Sequence, residues 1–368
     1  MSGSDGAARR LAASLVVAGF HGTALPAYAA EWLRAGLAGV VLFRRNVAAA
    51  EQVAALVAEV RRAAPAALVC VDQEGGRVQR LRAAEGFTDW PAARQVGAHG
   101  AAAAGAAAEA MGRELRAVGI DVSFAPVLDV DTNPANPVIG DRAYGPDASQ
   151  VAALGCAVAA GLARAGVLAC GKHFPGHGDT DVDSHLALPV IRHSLERLRR
   201  VELPPFAAAA AADVPAIMTA HVAVDALEPG VPATMSAVAL RLLREELGFG
   251  GCVVSDDLEM KAIADPAAGA VAAVRAGVDL LLVCSLPTAV DAAIDALAAA
   301  ATAEASMRAR MEQAAARVAA LRARVSPAEP LAAVALKTAL RSPATTALAA
   351  RLGGAPGDAG AIDPTERA

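Results

Sequence analysis

Short β-branched apolar runs alternate along the chain with longer alanine-rich stretches of helical period. The apolar runs fall at 15–20, 39–43, 68–72, 122–127, 167–170, 216–220, 252–255 and 279–283. Each is short enough for a strand and apolar enough to be buried on both faces. Helical stretches follow at 26–35, 49–63, 101–118, 147–164, 194–212, 236–247, 266–276 and 287–301. Strands that alternate with helices predict a parallel sheet. Eight such units in about 300 residues predict an α/β fold, a single (β/α)8 TIM-type barrel. A doubly wound open sheet is the alternative, but no Gly-x-Gly-x-x-Gly follows the first strand. The barrel is expected over 1–302. A C-terminal helical extension, opening with a charged helix at 303–325, is expected over 303–352, and a disordered tail over 353–368.

Composition changes this picture little. Of 368 residues 55% are hydrophobic, but alanine inflates that figure and aromatics are only 3%, so Val, Leu, Ile and Ala must build the core. Net charge is −5 with no basic stripe, which argues against nucleic acid as a partner. Five scattered cysteines in apolar surroundings suit a reducing, cytoplasmic setting. The stretch from Arg9-Arg10 through Leu11 and Phe20 to Ala27-Tyr28-Ala29 mimics a secretory signal. His21-Gly22 interrupts its apolar run, and a first barrel strand is the preferred reading. The most membrane-like window, 151–171, contains Arg164 and Gly166 and divides better into a helix and a strand, so no membrane span is expected.

Candidate chemistry gathers where the predicted strands end, which is where a barrel builds its site. Asp72, Glu74, Arg77 and Arg80 follow the third strand. Asp129, Asp131, Asp141 and Arg142 follow the fourth. His221 follows the sixth, and Asp256 and Asp257 follow the seventh. The densest cluster follows the fifth, where Lys172, His173, His177, Asp179, Asp181, Asp183 and His185 lie within fourteen positions. Gly176 and Gly178 place the cluster on a loop. Asp183 and His185 are two apart, so in extended chain the carboxylate can orient the imidazole as an acid/base pair. A metal site using His173, His177, Asp179, Asp183 and His185 is the competing reading, and a merely structural polar loop a third. Asp256 suits a nucleophile, a ligand or a cap, with Asp257 the better cap. His177, between two glycines, reads better as a shape-holding residue, and His221 is as readily a satisfied rim histidine as a substrate contact.

Four stretches then resemble the bacterial β-N-acetylhexosaminidases of glycoside hydrolase family 3. They are Lys172-His173-Phe174-Pro175-Gly176-His177-Gly178-Asp179-Thr180 with Asp183-Ser184-His185, then Asp72-Gln73-Glu74-Gly75-Gly76-Arg77-Val78-Gln79-Arg80, Asn136-Pro137-Val138-Ile139-Gly140-Asp141-Arg142, and Ser255-Asp256-Asp257-Leu258. The resemblance spans roughly 15–300. It implies retaining, exo-acting removal of terminal N-acetylglucosamine, as in peptidoglycan recycling, without cofactor or metal. It also implies Asp256 as nucleophile, His185 as acid/base and Asp183 as its partner, and Asp72, Arg80, Arg142, Lys172 and His173 as sugar-binding residues. A histidine acid/base would repel an incoming anion less than a carboxylate, so a phosphorylase is the alternative on the same scaffold. An ion pair with Asp141 or Glu74 is the structural reading of Arg80 and Arg142. A monomer acting on a small carbohydrate, a muropeptide, is expected. Asp257 stands where the family's β-glucosidase branch carries Trp, which disfavours that branch.

Overall fold

The computed structural model describes residues 3–180, 187–353 and Asp363. Eight parallel strands close on themselves: β1 (Val16–Ala18), β2 (Gly39–Leu42), β3 (Leu68–Val71), β4 (Val122–Ser123), β5 (Leu168–Phe174), β6 (Ala216–Thr219), β7 (Cys252–Asp257) and β8 (Leu280–Val283). Every strand pairs with its neighbours in sequence, and β1 completes the ring, with Val17 opposite both Leu282 and Gly39. Around them stand α1 (Ala27–Ala35), α2 (Ala50–Ala63), α3 (Gly100–Ala117), α4 (Ala148–Arg164), α5 (Pro204–Ala211), α6 (Ala237–Arg241), α7 (Pro266–Ala276) and α8 (Pro287–Ala303). The chain is therefore the (β/α)8 barrel that the periodicity predicts. All residues of β1, β2, β3, β6 and β8 are buried, because one face fills the barrel and the other meets the helices.

Several elements differ from expectation for identifiable reasons. The helix predicted over 194–212 divides into Leu195–Arg200 and α5, since Pro204 and Pro205 lack the N–H groups that a continuous helix needs but are tolerated in its first turn. The strand predicted over 122–127 is regular only at Val122–Ser123 and bridges Lys172 again at Val127; between them Phe124 still donates to Val71, and the Ala125 and Pro126 carbonyls accept from Cys170 and Lys172. β5 runs on past the predicted 167–170 to Phe174, so Lys172 and His173 sit on a strand rather than a loop. A helix at Gly3–Ala13 precedes the barrel and packs on α8, and so the Leu11–Phe20 run is the end of that helix followed by β1. No helix among the described residues is long and apolar enough to cross a membrane.

The charged helix expected at 303–325 is α9 (Ala305–Ala323). It serves the face opposite the site. Arg310 and Arg317 reach Asp279 at 2.8 and 3.1 Å, and Arg244 pairs with it as well. Asp279 is wholly buried just before β8, and its Oδ2 also accepts the N–H of Val253. Removing it would strand arginines and an amide together. Asp279→Ala is expected to cost about 3–5 kcal/mol, read as a lower midpoint in thermal or urea unfolding, with the site's chemistry unchanged in the folded fraction. After α9 come α10 (Ala333–Ala339) and α11 (Pro343–Arg351). Apart from Gly353 and Asp363, the tail expected to be disordered lies outside the described residues.

Candidate active site

The C-terminal strand ends open into one pocket of about 730 Å³, mouth included. Asp72, Phe124, Lys172, His173, Met218, Asp256 and Leu282 line it, so six strands from β3 to β8 contribute, with Val41 and Phe43 from β2. Apolar and charged side chains line it together.

One wall is a ladder of buried ions. Lys172 on β5 donates from Nζ to Asp72 Oδ1 at 2.7 Å and lies 2.6 Å from Glu74 Oε1. Arg142 grips Glu74 with two bonds of 2.9 Å, the planar fork that guanidinium makes with carboxylate. Burial favours neutral forms throughout this wall. It is outweighed by the opposite charges: Arg142 and Lys172 hold the Glu74 carboxyl far below the usual range, and Lys172 and Arg80 hold Asp72 down. Burial likewise works against charged Lys172, but Asp72 and Glu74 raise its pKa above the ordinary lysine value. All three groups are fixed charges at neutral pH.

A hairpin brings Arg80 back to Asp72. Gln73–Gly75 pairs with Val78–Gln79 around Gly76, whose φ of 58° and close approach to Ala92 suit glycine. Gln73 Oε1 accepts from the backbone N–H groups of Arg80 and Leu81 at 3.0 and 3.1 Å and locks the return. Arg80 is wholly buried and stands behind Asp72, donating to Oδ2 at 3.2 Å. On its other side it pairs with Asp363, whose side chain is only 6% exposed. Of the two partners considered from sequence, Glu74 takes Arg142, while Asp141 meets Arg77 at 3.1 Å.

His173 is oriented from behind. Its Nδ1 lies 2.7 Å from Asp129 Oδ2, and its Nε2 lies 3.4 Å from Arg142 Nη2. Arg142 can only donate, so Nε2 accepts and Nδ1 carries the proton toward Asp129. Asp129 also accepts the N–H groups of His173 and His177. Burial alone would raise its carboxyl, but His173 and His177 outweigh that and hold it low. Asp129 is thus the organiser of this corner. In the sequence it is one strand-end carboxylate among several, with no legible role, since its partners lie 44 and 48 residues away.

The glycine-broken loop beyond β5 is held in place piece by piece. A β-carbon on Gly178 would collide with the Val130 carbonyl. His177 is pushed down to about 4 by burial and then by neighbouring His173, so it is neutral at physiological pH; Thr180 Oγ1 lies 2.8 Å from its Nδ1. Asp179 pairs with His193 and accepts from Thr132. Among the described residues no three His, Cys, Asp or Glu side chains are grouped to hold a metal ion. Asp183 and His185 lie outside the described residues.

Asp256, half-buried at the end of β7, lines the pocket, and its Oδ1 accepts the Asp257 N–H at 2.8 Å. Asp257 does cap, as its sequence position suggested: Oδ1 accepts from Glu259 and Cys284 N–H groups at 3.1 and 3.2 Å. It lines the pocket too, which its position beside Asp256 does not show. Burial, then Glu259, pushes its carboxyl up to about 7. A raised carboxyl pKa means that ionisation costs folded-state stability as pH climbs from about 4 to 7. Asp257→Asn removes that cost. Its stability relative to the wild type is expected to grow by up to about 1.4 kcal/mol per pH unit across that window, measured by denaturant titration. A gap independent of pH would show that Asp257 does not titrate there. His221 is a satisfied core histidine, set between Thr234 Oγ1 at 2.8 Å and the Asp257 carbonyl at 2.9 Å.

A barrel that gathers carboxylates, a lysine, an arginine and a histidine around one pocket at its strand ends suits a polar ligand, and the class that fits such a barrel is the glycoside hydrolases. Comparison with known proteins agrees. Residues 17–321 match the glycosyl hydrolase family 3 N-terminal domain, and the chain belongs to that family. A beta-hexosaminidase of Methylococcus capsulatus is 47% identical over 258 residues, 68% of this chain and 76% of that one. A glycoside hydrolase family 3 beta-N-acetylglucosaminidase from Paenibacillus superposes with a TM-score of 0.87 at 43% identity, covering 94% of this chain and 68% of its own. NagZ from Neisseria gonorrhoeae, in complex with N-trifluoroacetyl-D-glucosamine, does so with a TM-score of 0.76 at 33% identity, covering 92% and 97%.

Proposed function

We propose that this glycoside hydrolase is a retaining, exo-acting β-N-acetylglucosaminidase that removes terminal N-acetylglucosamine from peptidoglycan fragments. The observation that carries the reading is one pocket holding Asp256 together with Asp72, Arg142, Lys172 and His173. Asp72 is an acceptor for sugar hydroxyls, while Lys172, Arg142 and His173 are the groups that orient the ring. Arg80 belongs to this sugar-binding set through Asp72. Relatives bearing the beta-hexosaminidase and beta-N-acetylglucosaminidase names support the substrate class.

In this reading Asp256 attacks the anomeric carbon while His185 gives its proton to the departing oxygen, leaving a glycosyl ester on Asp256. His185, now neutral, takes a proton from water as that water attacks the same carbon and releases Asp256. Asp183 holds His185 in its working tautomer. The unit that acts is the barrel over 1–302, as a cytoplasmic monomer. Five free cysteines and few exposed large apolar side chains (Leu286, Leu331 and Val334 among the described residues) support that setting.

Product analysis on defined muropeptide fragments, with and without phosphate, tests the reading. Free N-acetylglucosamine in both is expected. A glycosyl phosphate would identify a phosphorylase, and activity lost on dialysis against EDTA would identify a metal-dependent hydrolase. For the acid/base pair, Asp183→Ala is expected to lower kcat and shift the pH–rate profile; a profile identical in shape to the wild type would remove Asp183 from the mechanism.

A further inference from the structure

A second cavity, of about 490 Å³ with its mouth, adjoins the ion wall. Its origin is in the sequence. α3 and α4 meet at glycines: a β-carbon on Gly161 would stand 2.3 Å from the Gly105 carbonyl oxygen. The two helices therefore pack closely on each other, and the alanines around that contact fill too little of the room between them and the strands. Ala104, Ala107 and Met111 of α3 line the cavity with Val158 and Leu162 of α4. Glu74 and Arg142 border it, and Arg142 lines the active-site pocket as well.

Most polar side chains at this cavity are already spent. Glu74 and Arg142 answer each other with two hydrogen bonds. Gln73 Oε1 accepts from Arg80 and Leu81, and its Nε2 donates to the Leu81 carbonyl at 2.9 Å. Two groups remain. Trp90 is 3% exposed, and its Nε1–H is buried with no acceptor among the described residues. Tyr144 is the other; burial, then Glu74, pushes its phenol up, so the hydroxyl keeps its proton and can donate. An indole N–H taken out of water without an acceptor costs stability. Trp90 is also fixed where it stands, since its backbone N–H donates to Gln79 Oε1 at 2.9 Å and its carbonyl accepts from Gly76 at 2.7 Å. A mostly apolar chamber with few, placed donors has the form of a small-ligand site.

We propose that this cavity is a second ligand site, which takes a small uncharged ring compound whose hydrogen-bond acceptor meets Trp90 Nε1–H. The ring buries against the alanines, Met111 and Leu162, and the acceptor oxygen takes the indole proton, with the Tyr144 hydroxyl as a second donor. Ions are disfavoured, because neither charge at the border is free to pair with one.

The probe that tests this is cyclohexanone, an apolar ring with one carbonyl. The chain has two tryptophans and so two indole N–H signals in a proton–nitrogen correlation spectrum, which Trp32→Phe assigns. Trp32 Nε1 already donates to Asp291 at 3.1 Å and serves as the internal control. On titration of the full chain the Trp90 signal is expected to move downfield and saturate with a Kd of about 1 mM, a size that so few heavy atoms support, while the Trp32 signal stays in place. Ala107→Leu fills the chamber and is expected to abolish the shift. Trp90→Phe keeps a ring and removes the donor, and its Kd by saturation-transfer NMR is expected to be about tenfold weaker. Thermal midpoints show which variants are folded, and Trp90→Phe carries the test should Ala107→Leu fail to fold. No saturable shift at Trp90 up to about twenty times the expected Kd overturns the proposal. A shift that persists in folded Ala107→Leu, or that Trp32 shares equally, places the probe elsewhere and overturns it too. An unchanged Kd in Trp90→Phe overturns it as well, because the indole N–H would then recognise nothing.

Discussion

Asp256→Ala is expected to lower kcat on 4-nitrophenyl N-acetyl-β-D-glucosaminide by about 10⁴-fold or more while the enzyme stays folded. The size follows from the chemistry. Without a carboxylate at the anomeric carbon no glycosyl ester forms, and the remaining groups supply only binding and a proton. The side chain is half-buried, and the bond it accepts from Asp257 N–H is a local one, so its loss should leave the barrel intact. A small anion offers a second readout. Alanine leaves room beside the anomeric carbon, and azide added there would attack from the face that Asp256 occupied. With a good leaving group the product is the α-glycosyl azide, of inverted configuration, and its appearance would identify Asp256 by position as well as by need. Activity within tenfold of the wild type would assign the nucleophile elsewhere, and Asp257, on the same pocket, is the next carboxylate to replace.

The barrel was legible because its strands are short, apolar on both faces and evenly spaced. Most of the rim was legible because a parallel barrel puts chemistry at strand ends, where Asp72, Asp129, Lys172 and Asp256 indeed lie. What escaped was whatever depends on distant partners. Gly176 and Gly178 make the neighbourhood of Lys172 and His173 read as a loop, yet β5 carries both: its backbone continues the ladder through Phe174, whose carbonyl accepts the N–H of Ala220. The role of Asp129 depends on His173 and His177, which arrive from β5, and no local pattern announces that. Asp363 lies in a stretch whose Pro, Gly and Ala content reads as disorder, and only the buried guanidinium of Arg80 reveals where its carboxylate goes. The helix at Gly3–Ala13 was hidden because its Arg9-Arg10 pair imitates the start of a signal; in the structure Arg9 reaches Asp291 on α8.

Lys172→Met should be the most damaging change on the binding wall. The lysine is 2% exposed and holds two carboxylates at 2.7 and 2.6 Å, so Met keeps the bulk and removes the charge that both answer. Asp72 and Glu74 then face each other with Arg80 and Arg142 as their remaining cations. A kcat/KM loss of about 10³-fold is expected, near 4 kcal/mol, from the lost hydroxyl donor and the displaced Asp72 together. Stability should fall by about 3–5 kcal/mol at neutral pH, the range for breaking a buried pair. The pH dependence has a definite sign. Glu74 and Asp72 have depressed pKa values in the folded protein, so their contribution is fully present above the ordinary carboxylate range and is lost as pH falls below that range toward the depressed folded values. The Met variant forfeits part of that contribution, so its deficit should be full from pH 7 down to the ordinary carboxylate range and shrink only as pH falls below about 4. Lys172→Arg should not restore activity, because a planar fork cannot occupy a site closed on both sides at lysine's reach. Near-wild-type kcat/KM in the Met variant would take Lys172 out of the binding site. A stability deficit that does not change with pH would mean that Lys172 acts through packing alone.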